Sequence, residues 1–298
     1  MLHGQPGNAP LAVLLALCGT ALFTPVFAAG KFVDGAVPAL AIVAIRYLSG
    51  ALTVGAVVAI TRTPIGRLRS PQPLLHLLRV FLGAGGGVCI IKSATLMPIA
   101  DATAIGLTEG LLIVAFAALL LGERVTVKHV VAGSLCAAGA FVVVGASIGQ
   151  TAPGNHYLEG ALLAGAGAVL IALETVMIKV LAQREGALGV LAHVNGMAAL
   201  VFLIPGWWFA RSAGLGLSDL APFLCLGPVA ILAQYCNIKA FRLADASILG
   251  PISYSWILFS ALLGYVWFAE VPAQTTFIGA ALIVAGGIWL SRLPTQPT

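Results

Sequence analysis

The chain has 298 residues, of which 60 % are hydrophobic and only 8 % charged, with a formal net charge of +5 and a mean hydropathy of +1.05. Soluble domains carry about 25 % charged residues, so the composition excludes a soluble fold and points to an all-α integral membrane protein. Charge this thinly spread gives no footprint for nucleic acid, and the positive excess asks for a topological explanation.

Dividing the apolar runs at glycine, proline and charged residues predicts ten spans, at about 10–29, 38–60, 74–94, 98–121, 127–147, 157–182, 188–209, 219–240, 246–269 and 274–291. Each is close to 20 residues, enough at 1.5 Å rise per residue to cross the roughly 30 Å hydrocarbon core of a bilayer. Every connection is short, so the activity lies within or across the membrane. The first run carries Phe23 and Thr24 and ends in Phe27-Ala28-Ala29, which resembles a signal-peptide cleavage site. Its length and the lack of Lys or Arg in the first ten residues favour a span.

The second run carries Arg46 and Tyr47. The third holds Gly83 and Gly87 at the spacing that lets helix backbones approach closely in lipid. Glu109 lies in the fourth, Glu174 in the sixth and His193 in the seventh. The eighth contains Gln234, Tyr235 and Asn237, and the ninth Tyr254 and Trp256, too deep for the aromatic belts at the membrane surfaces. Trp207, Trp208 and Trp289 sit near run ends and read as belt residues. Lys31, Lys92, Lys179 and Lys239, also near ends, are expected to snorkel. Pro25, Pro205, Pro228 and Pro251 are kink candidates.

The chain contains its own repeat. Ala100-Asp101-Ala102-Thr103 returns as Ala244-Asp245-Ala246-Ser247, and the elbow Gly122-Glu123 as Ala269-Glu270. The offsets agree: 144 from Asp101 to Asp245, 147 from Glu123 to Glu270 and 146 from Gly133 to Gly279. Two repeats follow, residues 1–149 with spans one to five and residues 150–298 with spans six to ten. Five is odd, so the second repeat enters from the opposite side and the two are inverted. Eleven Lys and Arg fall on one side, Arg62, Arg67, Arg69, Arg79, Arg124, Lys128, Lys179, Arg184, Lys239, Arg242 and Arg292, against Lys31, Lys92 and Arg211 on the other. The positive-inside rule then places both termini in the cytoplasm. Inverted repeats suit alternating access around a midplane site.

Ionisable residues inside spans are costly and usually face a wet interior. Arg46 and Glu109 lie about 12 and 16 Å from the outer ends of their spans. Two readings stand side by side: a structural ion pair, or a guanidinium for a substrate carboxylate with a carboxylate for an amine or a proton. Glu174 and His193, nearer the cytoplasm, are candidates for a gate or proton relay, against a bland reading with Glu174 satisfied by Lys179 and His193 by a carbonyl. Phe23, Thr24, Tyr47, Gln234, Tyr235, Asn237, Tyr254 and Trp256 could furnish an amphipathic cavity. Trp256 precedes Glu270 by fourteen residues, as Glu109 precedes Glu123. The five cysteines show no CxxC spacing, and no His, Cys, Asp and Glu stand at metal-ligand spacing, so no metal or cofactor is expected.

Arg46-Tyr47, Glu109 running into Leu121-Gly122-Glu123-Arg124, and Phe268-Ala269-Glu270-Val271-Pro272 with Gly279 and Gly286-Gly287 resemble the drug/metabolite transporter superfamily. The likeness is to its ten-span proteins with two EamA domains and covers nearly the whole chain. One departure is Gly110, where the family often has proline after the glutamate, which predicts a softer kink. The resemblance implies an inner-membrane secondary transporter whose partners are a small-molecule substrate, the lipid bilayer and, as a coupling ion, protons. The mixed lining best suits export of amino acids, aromatic ones included, similar to aromatic amino acid exporters of the superfamily. The alternative within transport is import of a flat aromatic metabolite such as riboflavin. A channel would need a continuous polar stripe. An intramembrane enzyme would need a nucleophile with a base or paired aspartates, and Asp101 and Asp245 are expected on opposite faces.

Overall fold

The computed structural model describes residues 8–33, 36–96, 102, 105–145, 156–268 and 274–293. Among them all regular structure is helical. The main helices are α1 (Ala9–Phe27), α2 (Ala39–Ile60), α3 (Pro73–Leu96), α4 (Thr108–Leu121), α5 (Val127–Gly145), α6 (Tyr157–Arg184), α7 (Ala187–Ser212), α8 (Leu226–Leu243), α9 (Trp256–Phe268) and α10 (Gln274–Ser291). Seven described segments are long and apolar enough to cross a membrane, and Thr108–Leu121, Val127–Gly139 and Phe277–Leu290 are shorter apolar helices. Ala100, Asp101 and Thr103 of the repeated motif, the elbow Ala269-Glu270 and the link at 146–155 lie outside the described residues.

Large apolar side chains such as Leu200, Ile60, Leu119, Ile204 and Trp208 project outward with most of their surface uncovered. In water such a surface would drive association; in lipid it is solvated. The interior is instead lined with small residues. α1 packs on α8, α2 on α7, α3 on α6 and α5 on α10. At the α5–α10 crossing the backbones touch: a Cβ placed on Gly139 would lie 2.6 Å from the Gly279 carbonyl oxygen, and one on Gly286 would lie 2.4 Å from Cys136 Sγ. Without a hydrophobic drive between helices in lipid, this close approach is what dispersion requires.

Two runs are not the single helices expected. The eighth opens with the turn Leu217–Leu220 and the 3-10 segment Ala221–Cys225 before α8, and the ninth with Ala246–Leu249 and the 3-10 segment Gly250–Ser255 before α9. Pro222 and Pro251 stand early in the two 3-10 segments; each lacks a backbone N–H and cannot continue an α-helical ladder. The break in the ninth lets it cross α4 closely, where a Cβ on Gly110 would lie 3.0 Å from the Tyr254 ring and 3.1 Å from Ser253 Oγ. Gly110 therefore serves a close approach.

The elbow after α4 forms as the sequence suggests, with Gly122 in the left-handed region at φ 68 capping the helix. Glu123 then reaches across to the ninth run, accepting hydrogen bonds from the N–H of Ala246 at 3.0 Å and of Ser247 at 2.9 Å. Its carboxylate satisfies two of the free donors at that helix start and complements its dipole. Beside it Lys179 is buried, donating to the Ala244 carbonyl at 2.6 Å with Asp245 Oδ1 at 3.5 Å. This corrects the snorkelling expected of Lys179: the α8 end closes over its ammonium.

Hydrogen bonds to a charged acceptor contribute about 1.5–3 kcal/mol. Glu123→Ala should therefore lower the thermal unfolding midpoint in detergent, with Glu123→Gln, which keeps one acceptor oxygen, in between. A Glu123→Ala protein that melts with the parent would show the latch to be dispensable.

Candidate functional site

The breaks and close crossings leave a central cavity of about 160 Å³. On the scale where one water occupies about 10–15 Å³, it has room for on the order of ten waters, hence for a small metabolite rather than one ion. Phe23 and Phe27 from α1 stack at 5.5 Å, and Phe27 meets Trp256 edge-on at 5.9 Å, forming an aromatic wall. Arg46 and Tyr47 line it from α2, Arg79 and Gly83 from α3, Glu109 from α4, Glu174 from α6, and Gln234 and Asn237 from α8.

Of the residues singled out from the sequence, Phe23, Arg46, Tyr47, Glu109, Glu174, Gln234, Asn237 and Trp256 come together here. The others do not reach the lining. Thr24 is buried and turns its hydroxyl back to donate to the Thr20 carbonyl at 2.9 Å. Tyr235 is exposed on the outer face of α8, with Lys239 Nζ 5.5 Å from its ring centroid. Tyr254 is buried against Gly110. His193 lies toward the Arg/Lys-rich end, stacked on His76 at 4.8 Å, its Nδ1 donating to the Gly189 carbonyl at 2.9 Å.

Arg46 and Glu109 form no ion pair with each other among the described residues. The Arg46 guanidinium sits 3.8 Å from the Tyr47 ring centroid, a cation–π contact that holds it without spending its N–H fork on a carboxylate. Glu109 lies in the first turn of α4, where the positive end of the helix dipole favours an anion. The pairing the sequence did not disclose is between Arg79 and Glu174, with Nε 3.1 Å from Oε1. Arg79, counted from sequence among the cytoplasmic surface charges, is 1 % exposed. Glu174 is thereby taken from both partners considered for it, His193 and Lys179. Gly83 makes the room, since a Cβ there would lie 2.9 Å from Glu174 Cδ.

Two buried donors at this lining have no protein acceptor, Arg79 Nη1 and Trp256 Nε1. Buried donors are nearly always satisfied, so both are available to a solute. The lining is chemically mixed: an aromatic wall, one guanidinium and one carboxylate without mutual pairing, one internal ion pair, and the amides of Gln234 and Asn237. It can seat a small solute with both charges and an apolar part.

Residues 10–145 and 158–292 each match the EamA-like transporter family. The chain is 28 % identical to a pseudopaline exporter of Pseudomonas aeruginosa, over 94 % of this chain and 95 % of that one. It is 30 % identical to a riboflavin transporter of Brucella anthropi over 76 % of this chain and 78 % of the other. It is also 30 % identical to an aromatic amino acid exporter of Ancylobacter novellus over 85 % and 87 %. One solved crystal structure superposes with a TM-score of 0.72 at 26 % identity, covering 94 % of this chain and 97 % of that one.

Removing one member of a buried pair leaves an uncompensated charge at a cost of about 3–5 kcal/mol, whereas replacing both with apolar residues is often neutral. Arg79→Leu should therefore express poorly and aggregate on size-exclusion chromatography, and Arg79→Leu with Glu174→Leu should recover a monodisperse peak. A stable single variant would show that Arg79 and Glu174 are not coupled.

Proposed function

Because the chain belongs to the EamA-like transporter family, a transporter of small metabolites and not an enzyme, we propose that it exports amino acids, aromatic ones included, across the inner membrane by alternating access. The observation that carries this reading is the separation of Arg46 and Glu109 at one cavity beside Phe23, Phe27 and Trp256. A bidentate guanidinium suits a carboxylate, a carboxylate suits an ammonium, and the aromatic wall suits a ring. The name of the Ancylobacter novellus relative is consistent with this. Glu109 is the group we assign to a coupled proton.

Ten spans in two inverted repeats, residues 1–149 and 150–298, with cytoplasmic termini, complete the proposal. Helix pairing supports the symmetry. Exchanging each helix with the one five positions away turns the α1–α8 contact into α6–α3 and returns α2–α7 and α5–α10 to themselves, and these are the four principal pairings. A second reading, import of a flat aromatic metabolite such as riboflavin, is favoured by the Brucella anthropi relative and the same aromatic wall.

Purified protein in liposomes, preloaded with labelled amino acids or riboflavin, separates the two. We expect saturable efflux of tryptophan or phenylalanine. Arg46→Leu and Glu109→Gln should each fold and each lose at least about tenfold in rate, the equivalent of one charge-assisted contact. Riboflavin flux without amino acid flux would replace the first reading with the second.

A further inference from the structure

At the Arg/Lys-rich end, one turn along α3 from Arg79, three ligand-bearing side chains from three places in the chain converge. His76 of α3 is completely buried, Glu185 follows α6 at the turn into α7 and is buried, and His193 lies two turns into α7 and is partly buried. One donor atom from each lies within 4.8 Å of the others. Among the described residues this is the one such group, and the transport reading leaves it unused. We propose that His76, Glu185 and His193 form a binding site for a single divalent transition ion, zinc in the first instance, bridging α3 to the α6–α7 turn.

The ligand chemistry fits. Two imidazoles and one carboxylate, with an open fourth position, make a familiar zinc donor set. Donors around a tetrahedral ion at 2.0–2.2 Å stand roughly 3.3 Å apart, so the group needs to close by at most about 1.5 Å. His193 is already in the tautomer a metal needs: its Nδ1 donates to the Gly189 carbonyl, leaving the Nε2 lone pair open. His76 Nε2 is 2.9 Å from Glu185 Oε2, while its buried Nδ1 has no partner. An ion in place of the proton between His76 Nε2 and Glu185 Oε2 would meet a lone pair from each, with the ring proton carried on Nδ1. Ser70 Oγ donates to the other oxygen of Glu185 and holds it in place.

The surrounding charge does not forbid a cation. Arg79, the cation nearest along α3, is turned to Glu174, and Arg242 spends its guanidinium on the backbone carbonyls of Ala182 and Glu185. The anionic Glu185 would then be partly neutralised by the ion. A bridge between α3 and the α6–α7 turn would also fasten an end of the bundle that alternating access requires to move.

Titration of the metal-free full chain in detergent with Co²⁺ tests the site. We expect one ion per chain, with the intense visible absorption of tetrahedral Co²⁺, displaced by an equivalent of Zn²⁺. Zn²⁺ should also raise the thermal midpoint. His193→Gln removes a donor at a partly exposed position and should weaken Co²⁺ binding at least tenfold and abolish the thermal shift, as should His76→Gln. His156→Gln, outside the cluster, should change neither. Absence of the absorption band, or a band and thermal shift that persist in His193→Gln, would overturn the proposal, and His193→Gln decides the matter even if His76→Gln fails to fold.

Discussion

A charge inside an apolar bundle must be paired, hydrogen-bonded or wetted, because leaving it bare in low dielectric costs more than a domain's whole margin of stability. The interior is organised by this constraint. Arg79 and Glu174 answer it as an ion pair, Lys179 by the Ala244 carbonyl and Asp245, and Glu123 by two backbone N–H groups of the ninth run. Arg46 and Glu109 answer it differently, the first by a ring face and the second by a helix start, at the wall of a cavity. Both retain a full charge-assisted contact to offer a solute, beside the Arg79 Nη1 that the ion pair leaves without an acceptor.

The packing and the site are coupled through small residues. Gly83 admits Glu174 beside α3, Gly110 admits the Tyr254 ring, and Gly139 and Gly286 bring α5 and α10 into backbone contact. Proline supplies the complementary device, with Pro222 and Pro251 standing early in the 3-10 segments that open the eighth and ninth runs, the second of which lines the cavity through Ile252 and Ser253. Trp256 opens α9 where the ninth run leaves its 3-10 segment. Its sequence equivalence to Glu109, at one distance from the two elbows, thus corresponds to two positions on one cavity.

The apolar runs, the Gly122 elbow and eight residues of the cavity lining were legible in the sequence because they rest on local signals: run length, a turn glycine, and the rarity of a polar or charged residue between apolar neighbours. What was illegible depends on faces and distant partners. Runs that are apolar all round give no period from which to tell inward from outward, so Tyr235 and Thr24 were grouped with the lining although neither reaches it. Arg79 stands six residues into α3 and reads as a surface cation until Glu174, 95 positions away, is brought against it. His76 and Glu185, 109 positions apart, likewise meet only in the fold.

The central claim is that one solute is held at both of its charged ends while its ring meets the aromatic wall. The direct measurement is equilibrium binding to the wild-type protein of L-tryptophan, of tryptamine, which lacks the carboxylate, and of 3-indolepropionate, which lacks the amine. If Arg46 and Glu109 each engage one end, tryptophan binds, and each analogue is weaker by at least about tenfold, the loss of one charge-assisted contact. Equal binding of all three would contradict the account.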